Sequence, residues 1–355
     1  MSTKSKKRNK RNRRRAILIA FLLMLLVGVV LGTGTYAWFT ANKTVTVKDI
    51  TVNVAASNGL QISADAITFK TVLSNDDLTG AASTYTGSVN QIPKSTAQED
   101  HSMVPVSTIG QVDTSTGFMN MYKGEIVGKE AGNILTAAKT TETRGTSGDF
   151  IVFDVFLQVT TDSDVYLTSN SNVQADGTST GIENAARMAF IYEGYGAMGT
   201  ASGTLQGLKT SATNSTDKVD GNQVVQIWEL NNDVHTAAGV TNATTVYGKT
   251  GVTTTGSAQL DYVGVKAAIP ENAAIPVPST STTYFGAVAS PLLFLSTPKT
   301  GIPSTAYAKI FSLKAGVSKI RVYMWVEGQD VDCENNASGG SLTYSLQFSL
   351  LDKAE

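Results

Sequence analysis

The most regular feature of the chain is alternation between apolar and polar positions. In SLTYSLQFSLL, Leu342, Tyr344, Leu346, Phe348 and Leu350 share one face, and Thr343, Ser345, Gln347 and Ser349 share the other. A period of two predicts a strand with one wet side. KIRVYMWVEG repeats the pattern, with Ile320, Val322, Met324 and Val326 on one side and Arg321, Tyr323, Trp325 and Glu327 on the other. DFIVFDVFLQV (149–159) is apolar on nearly both faces, which predicts a central strand covered on both sides. Shorter strands are expected at 67–73, 188–193, 224–230 and 308–314, and short helices at 128–139 and 180–187. One strand breaks phase. Val45 and Val47 point one way, the pattern slips at Lys48-Asp49, and Ile50, Val52 and Val54 resume one residue late. A slip reverses the apolar face, so a bulge or break is expected there.

GTASGTLQG, TSATNSTDK and GVTTTGSAQ are too polar to pack and are expected as exposed loops. AIPENAAIPVPSTSTT, with Pro270, Pro276 and Pro278, is expected as an extended surface crossing. No repeat period and no heptads are visible. The expected fold class is all-β: an antiparallel β-sandwich or jelly roll with long insertion loops, preceded by an N-terminal hydrophobic signal helix. Residues 38–355 would form the body, as one sandwich or as two with a break in 200–255.

The first residues concern location. KSKKRNKRNRRR carries nine Lys or Arg and no acid, and Ala16–Gly32 is a run of seventeen residues without charge. This is the order of a secretory signal, and the positive flank stays inside. Thr35 and Ala37 place small residues three and one positions before a cut ahead of Trp38, a pattern signal peptidase accepts. The alternative is a retained single-pass anchor through residues 16–34, the chain's sole membrane contact. Residues 38 onward are exported in either case, to the cell surface or the medium. The whole chain has 28 basic and 29 acidic residues; without the nine leading cations, 19 face 29, a net charge of −10. Such a body is soluble and repels nucleic acid. Cys333 is the single cysteine, so no disulfide forms within the chain and stability must come from a core.

GTGTYAWFT, followed by a Val/Thr-rich strand and AASNGLQIS, resembles a family of exported Gram-positive proteins. It comprises the biofilm-matrix fibre protein TasA and the camelysins (CalY), and the resemblance covers about the first sixty residues. It implies processing by a dedicated signal peptidase at Gly34, Thr35, Tyr36, Ala37 and Trp38. It also implies jelly-roll subunits that self-assemble when an N-terminal segment completes a neighbour's sheet. Here that donor strand would carry Val45, Val47, Ile50 and Val52, hinged at the phase slip, by strand addition. An ordinary bulged edge strand is the alternative.

The camelysin branch implies metalloprotease chemistry, which needs two or three ligands and an open position. His101 and His235 are far apart in sequence, no H-E-x-x-H is present, and both histidines are expected in exposed loops. GYGAMG (194–199) resembles a phosphate loop, but a loop rather than a helix is expected after it, so it is assigned to a turn. In QDVDCENNASGG, Asp330, Asp332 and Glu334 alternate at a hairpin tip, as calcium ligands would. The positions where an EF-hand needs Gly and a bidentate Glu hold Asn335 and Ser341, so an acidic hairpin loop is the competing account. Asp162 and Asp164 form a second acidic pair. No cofactor other than calcium is expected. The leading expectation is a non-enzymatic surface or matrix protein that forms fibres. The alternatives are a carbohydrate- or protein-binding surface module, with Tyr323 and Trp325 stacking on a sugar or else buried under a second layer, and a secreted hydrolase.

Overall fold

The computed structural model describes residues 44–55, 59–94, 101–129, 132–168, 170–212, 217–229, 234–245, 250–254, 263–276, 281–288, 292–293, 308–334 and 337–350. The signal segment and the junction residues Thr35, Ala37 and Trp38 lie outside them. The strands run in chain order from β1 (Val45–Val54), β2 (Gln61–Ser63), β3 (Val72–Leu73), β4 (His101–Met103), β5 (Val106–Ser107), β6 (Val112–Asp113) and β7 (Phe118–Met119). There follow β8 (Met121–Lys129), β9 (Gly132–Thr140), β10 (Ile151–Val159), β11 (Ser163–Leu167), β12 (Asn172–Ala175), β13 (Ala186–Gly196), β14 (Lys218–Val219) and β15 (Asn222–Gln223). The last are β16 (Val225–Glu229), β17 (Val263–Val265), β18 (Phe285–Ala287), β19 (Leu292–Leu293), β20 (Ala308–Leu313), β21 (Gly316–Val326) and β22 (Ser341–Leu350). Among the described residues the α-helices, α1 (Asn75–Gly80), α2 (Ser202–Gln206) and α3 (Ala237–Thr245), are short.

Two large sheets face each other. The first has the order β20-β11-β22-β1-β3, with β12 also on β22 and β4 also on β1. The second has the order β19-β16-β13-β21-β10-β2. Between them lies one core, to which Ile50, Val52, Leu346 and Phe348 come from the first sheet and Phe153, Val155, Phe190 and Val322 from the second. A second core covers the opposite face of the second sheet. There Val152, Ile191, Tyr323 and Trp325 pack under Val106, Val112, Met119 and Met121, from the β5-β8-β9 sheet and the β6-β7 ribbon. The described residues all fall within one compact unit.

The phase slip is a bulge. β1 runs parallel to β22, and the register jumps between Val47 and Asp49, leaving Lys48 as the extra residue. The bulge restores the apolar phase, so Val45, Val47, Ile50 and Val52 are all fully buried. The other edge of β1 is occupied by β4 at Val45–Val47 and by β3 at Val52 and Asn53. β1 is therefore an interior strand rather than an edge.

Several expected elements differ. Of residues 128–139, the described ones, 128–129 and 132–139, are not helical: they belong to β8 and β9, paired in register from Met121↔Thr140 to Lys129↔Gly132. Their Ala, Lys and Glu are good helix formers, but propensity is a weak prior and pairing overrides it. Of 180–187, only Ile182–Ala185 form a 3-10 turn before β13 begins. Of 67–73, only Val72 and Leu73 are strand, and Ile67 is half exposed. GTASGTLQG contains α2. β21, expected to have a wet side, is buried along its whole length. The described first part of the proline segment, residues 268–276, runs along β9, where Leu135 N–H donates to Ile275 O at 2.9 Å and Ala137 N–H to Ile269 O at 3.0 Å.

Deleting Lys48 should turn Val45 and Val47 toward solvent and cost more than about 2 kcal/mol of stability in a urea titration. Lys48→Ala, which keeps the bulge, should cost about 0.5 kcal/mol or less.

Candidate functional site: two buried charge clusters

Asp154 interrupts the apolar run of β10, and its cross-strand neighbour on β21 is Arg321. Both are buried, Asp154 completely. Arg321 Nε donates to Asp154 Oδ1 at 2.8 Å and Nη2 to Oδ2 at 3.2 Å, a two-pronged pairing that suits the planar guanidinium. Arg321 Nη1 also donates to Glu142 Oε2 at 3.1 Å, and the Tyr323 hydroxyl donates to the other oxygen of Glu142. Two residues before Arg321, Lys319 donates to the carbonyls of Gln206 and Leu208, each at 2.9 Å, and its Nζ lies 3.4 Å from Asp154 Oδ2. Gln206 ends α2, so its carbonyl belongs to the end of a helix that attracts cations. Glu193 enters from a third strand. The register of β13 slips between Tyr192 and Gly194, and Glu193 is the residue in that bulge. Its Oε2 accepts the Thr210 N–H at 2.6 Å.

The cover is part of the site. Phe118 of the β6-β7 ribbon lies over the Arg321 guanidinium at 5.0 Å, and Met119 N–H donates to the Tyr323 hydroxyl at 3.0 Å. The Tyr85 hydroxyl lies 2.9 Å from Asp154 Oδ2 and 2.8 Å from Gln206 O. Burial alone would raise Asp154, but Arg321 and then Lys319 outweigh it and hold the carboxyl down at about 2. Glu142 and Glu193 go the other way. Burial dominates there, against the pull of Arg321, and pushes each up to about 7.

The second cluster lies toward the other end of β21. Arg187 Nη2 pairs with Glu229 Oε1 at 2.6 Å and with Asp330, and Nη1 donates to the carbonyls of Asn184 and Ala186. Asp332 is completely buried. One of its oxygens meets His235 Nδ1 at 2.8 Å; the other accepts the backbone N–H and the hydroxyl of Thr236, both at 2.8 Å. Thr236 directly precedes α3, so the carboxylate stands at that helix's positive end. The approach is close enough to require glycine: a Cβ on Gly239 would lie 2.0 Å from Asp332 Oδ1. Burial lowers the affinity of His235 for a proton, and the hydrogen bond to Asp332 more than restores it, so its pKa is raised.

The acidic loop thus spends Asp330 on Arg187 and Asp332 on His235 and α3, and Glu334 is buried beside them. Among the described residues no group of three His, Cys, Asp or Glu side chains has the arrangement of a metal site. Cys333 is buried, and burial pushes its thiol up. Asp162 and Asp164 are separate, Asp162 accepting the Ala315 N–H and Asp164 pairing with Lys309.

The histidines are corrected. Neither is an exposed loop residue: His101 lies in β4 opposite Val47, and His235 holds Asp332. Tyr323 and Trp325 are fully buried and out of reach of a sugar. GYGAMG ends β13 and turns, and the helix after it sends its terminal carbonyl to Lys319 rather than its N-terminus to an anion. An open groove lies beside the β8-β9 hairpin, lined by Lys129, Asn133, Ile134, Glu271 and Pro276 among others. Sequence reasoning assembled neither cluster: it named Asp330, Asp332, Glu334 and His235 without their pairing and passed over Asp154, although an Asp within an apolar run was the available signal.

Glu142 and Glu193 titrate near 7 in the fold against an ordinary 4.5, so the folded chain keeps protons that the unfolded chain has released. Their stabilising effect is complete below the ordinary value and is lost as pH rises toward 7. His235, raised above 6.5, has the same sign, while Asp154 loses its contribution only as pH falls from 3.8 toward 2. The melting temperature should therefore fall between about pH 5 and about pH 8, and Glu193→Gln should flatten that slope in scanning calorimetry. Asp332→Ala should cost about 1–3 kcal/mol, equally in chelator and in millimolar calcium, if Asp332 serves His235 and α3. A calcium-dependent rise in the wild-type melting temperature, lost in the variant, is the signature of a calcium site instead. The chain matches no known family model, no curated protein and no solved structure.

Proposed function

We propose that this is an exported structural protein of the cell surface or extracellular matrix. In this reading residues 1–37 form a signal helix that a signal peptidase removes, and a jelly-roll body is released to assemble by exchanging β1 between copies. The observation that supports the reading is the setting of β1. It is the first described strand after the export junction, and it fills an interior slot between β22 on one side and β3 and β4 on the other. Its Val45, Val47, Ile50 and Val52 are fully buried, and each contributes about 1.5–3 kcal/mol by burial. If β1 leaves, the slot it vacates is an apolar groove with unpaired backbone on both edges. A neighbour's β1 satisfies that groove with the same contacts, so exchange costs little in contacts and gains connectivity.

Thr46 and Ser102 are directly opposed across the antiparallel β1-β4 pair and are both half-buried, so cysteines there can lock β1 into its own sheet. Electron microscopy of the exported body should show filaments. The oxidised Thr46→Cys/Ser102→Cys variant should give none until it is reduced. Filaments forming equally well from the locked protein would sink the exchange reading, and a wild-type body that stays monomeric would sink assembly altogether.

A further inference from the structure

Three carboxylates and two cations share the first cluster, contributed by adjacent strands of the second sheet and the segment after β9. We propose that Lys319 and Asp154 become joined by an intramolecular amide bond, Nζ to Cγ, which ties β21 covalently to β10. Nζ lies 3.4 Å from Asp154 Oδ2, an ion-pair contact that holds the amine beside the carboxyl group it would attack. The Lys319 side chain is 6% exposed and that of Asp154 is 0%. The carbonyls of Gln206 and Leu208 fix Nζ from the other side, so the amine has little freedom to leave.

The chemistry closes on itself. The reaction begins when one proton passes from the Lys319 ammonium to the Asp154 carboxylate, giving an amine and a carboxylic acid. The nitrogen lone pair then attacks Cγ, the N–Cγ bond forms and the Cγ–Oδ2 bond breaks. Oδ2 departs as water with two protons that began on the ammonium, and the nitrogen keeps the third as the amide N–H. No oxidant, reductant or external co-reactant is required. Arg321 Nε, 2.8 Å from Oδ1, stabilises negative charge on the oxygen that stays. The Tyr85 hydroxyl, 2.9 Å from Oδ2, is placed to donate to the oxygen that leaves. Glu193, buried in the same cluster with its Oε2 on the Thr210 N–H at 2.6 Å, is the group we assign to carry the proton between nitrogen and leaving oxygen. The same guanidinium also stabilises the carboxylate form of Asp154, so the reaction is slow and occurs once per molecule. That suffices for a structural bond.

Tryptic digestion of the folded full-length chain, read by mass spectrometry, tests this directly. The linked protein yields a branched peptide joining residues 145–187 to residues 315–321, because an acylated Lys319 resists cleavage. That peptide is lighter than its two parts by one water, about 18 Da. Lys319→Arg should abolish it, and Glu193→Gln should slow its appearance in freshly refolded protein at least tenfold. Recovery of only the linear 145–187 and 315–319 peptides from wild-type protein, after prolonged incubation of the folded chain, overturns the proposal whether or not either variant folds.

Discussion

The pairing of Asp154 with Arg321 constrains more of this structure than any other contact. An ion pair in the middle of a sheet is tolerable only if every remaining donor and acceptor around it is satisfied and water is kept out. The molecule meets that demand with parts drawn from far apart in the sequence. Glu142 follows β9, Tyr85 lies after α1, Gln206 closes α2, and Phe118 belongs to the covering ribbon. Removing either would leave the other buried with only its weaker partner, Lys319 for Asp154 or Glu142 for Arg321, at a cost of up to about 3–5 kcal/mol. The position of the outer layer is therefore specified by charge as much as by the apolar contacts of Tyr323 and Trp325.

The loop after β21 follows the same logic with a helix in place of a ribbon. Asp330 and Asp332 alternate, but they serve two different cations, Arg187 and His235. Asp332 at the start of α3 explains why that short helix, with few apolar residues to anchor it, stays against the loop. The loop crosses from β21 in the second sheet to β22 in the first rather than closing the expected hairpin. Alternating carboxylates in a loop look the same in sequence whether they converge on an ion or diverge to separate partners. Only the surroundings decide, and those surroundings are 97 residues away in the case of His235.

That difference marks how far the sequence could be read. Hydrophobic patterning carried the long strands β1, β10, β13, β21 and β22 with β16 and β20, but not the short β2, β4, β11, β12 and β19. The slip at Lys48-Asp49 announced a bulge because a change of phase has no other cheap remedy. The face of β21 bearing Arg321 and Tyr323 looked wet because nothing local reveals that residues 112–119 cover it. The β8-β9 hairpin was misread because its Ala, Lys and Glu favour helix, while its glycines and its long register favour pairing. His101 and His235 looked exposed because polar neighbours in sequence were taken for a polar environment in space. Of the two clusters, the carboxylates of the acidic loop, His235 and Tyr323 were singled out beforehand, but none in the partnership it makes.

Stability and exchange make opposite demands on such a chain, and the two sheets divide them. A strand that passes between copies must be able to leave without the body unfolding, so the elements that remain must hold by themselves. β1 pairs only within the first sheet. The second sheet keeps a core on each face, and on its outer face it keeps a charge network to which β1 contributes no hydrogen bond or ion pair among the described residues. With one buried cysteine, the chain has no disulfide of its own to brace that sheet. A covalent link between β10 and β21 would do so at the point where the two strands already meet over their longest register, from Ile151↔Met324 to Val159↔Gly316. It would also convert the cluster's largest liability, a buried cation facing a buried carboxylate, into an amide with no charge to desolvate.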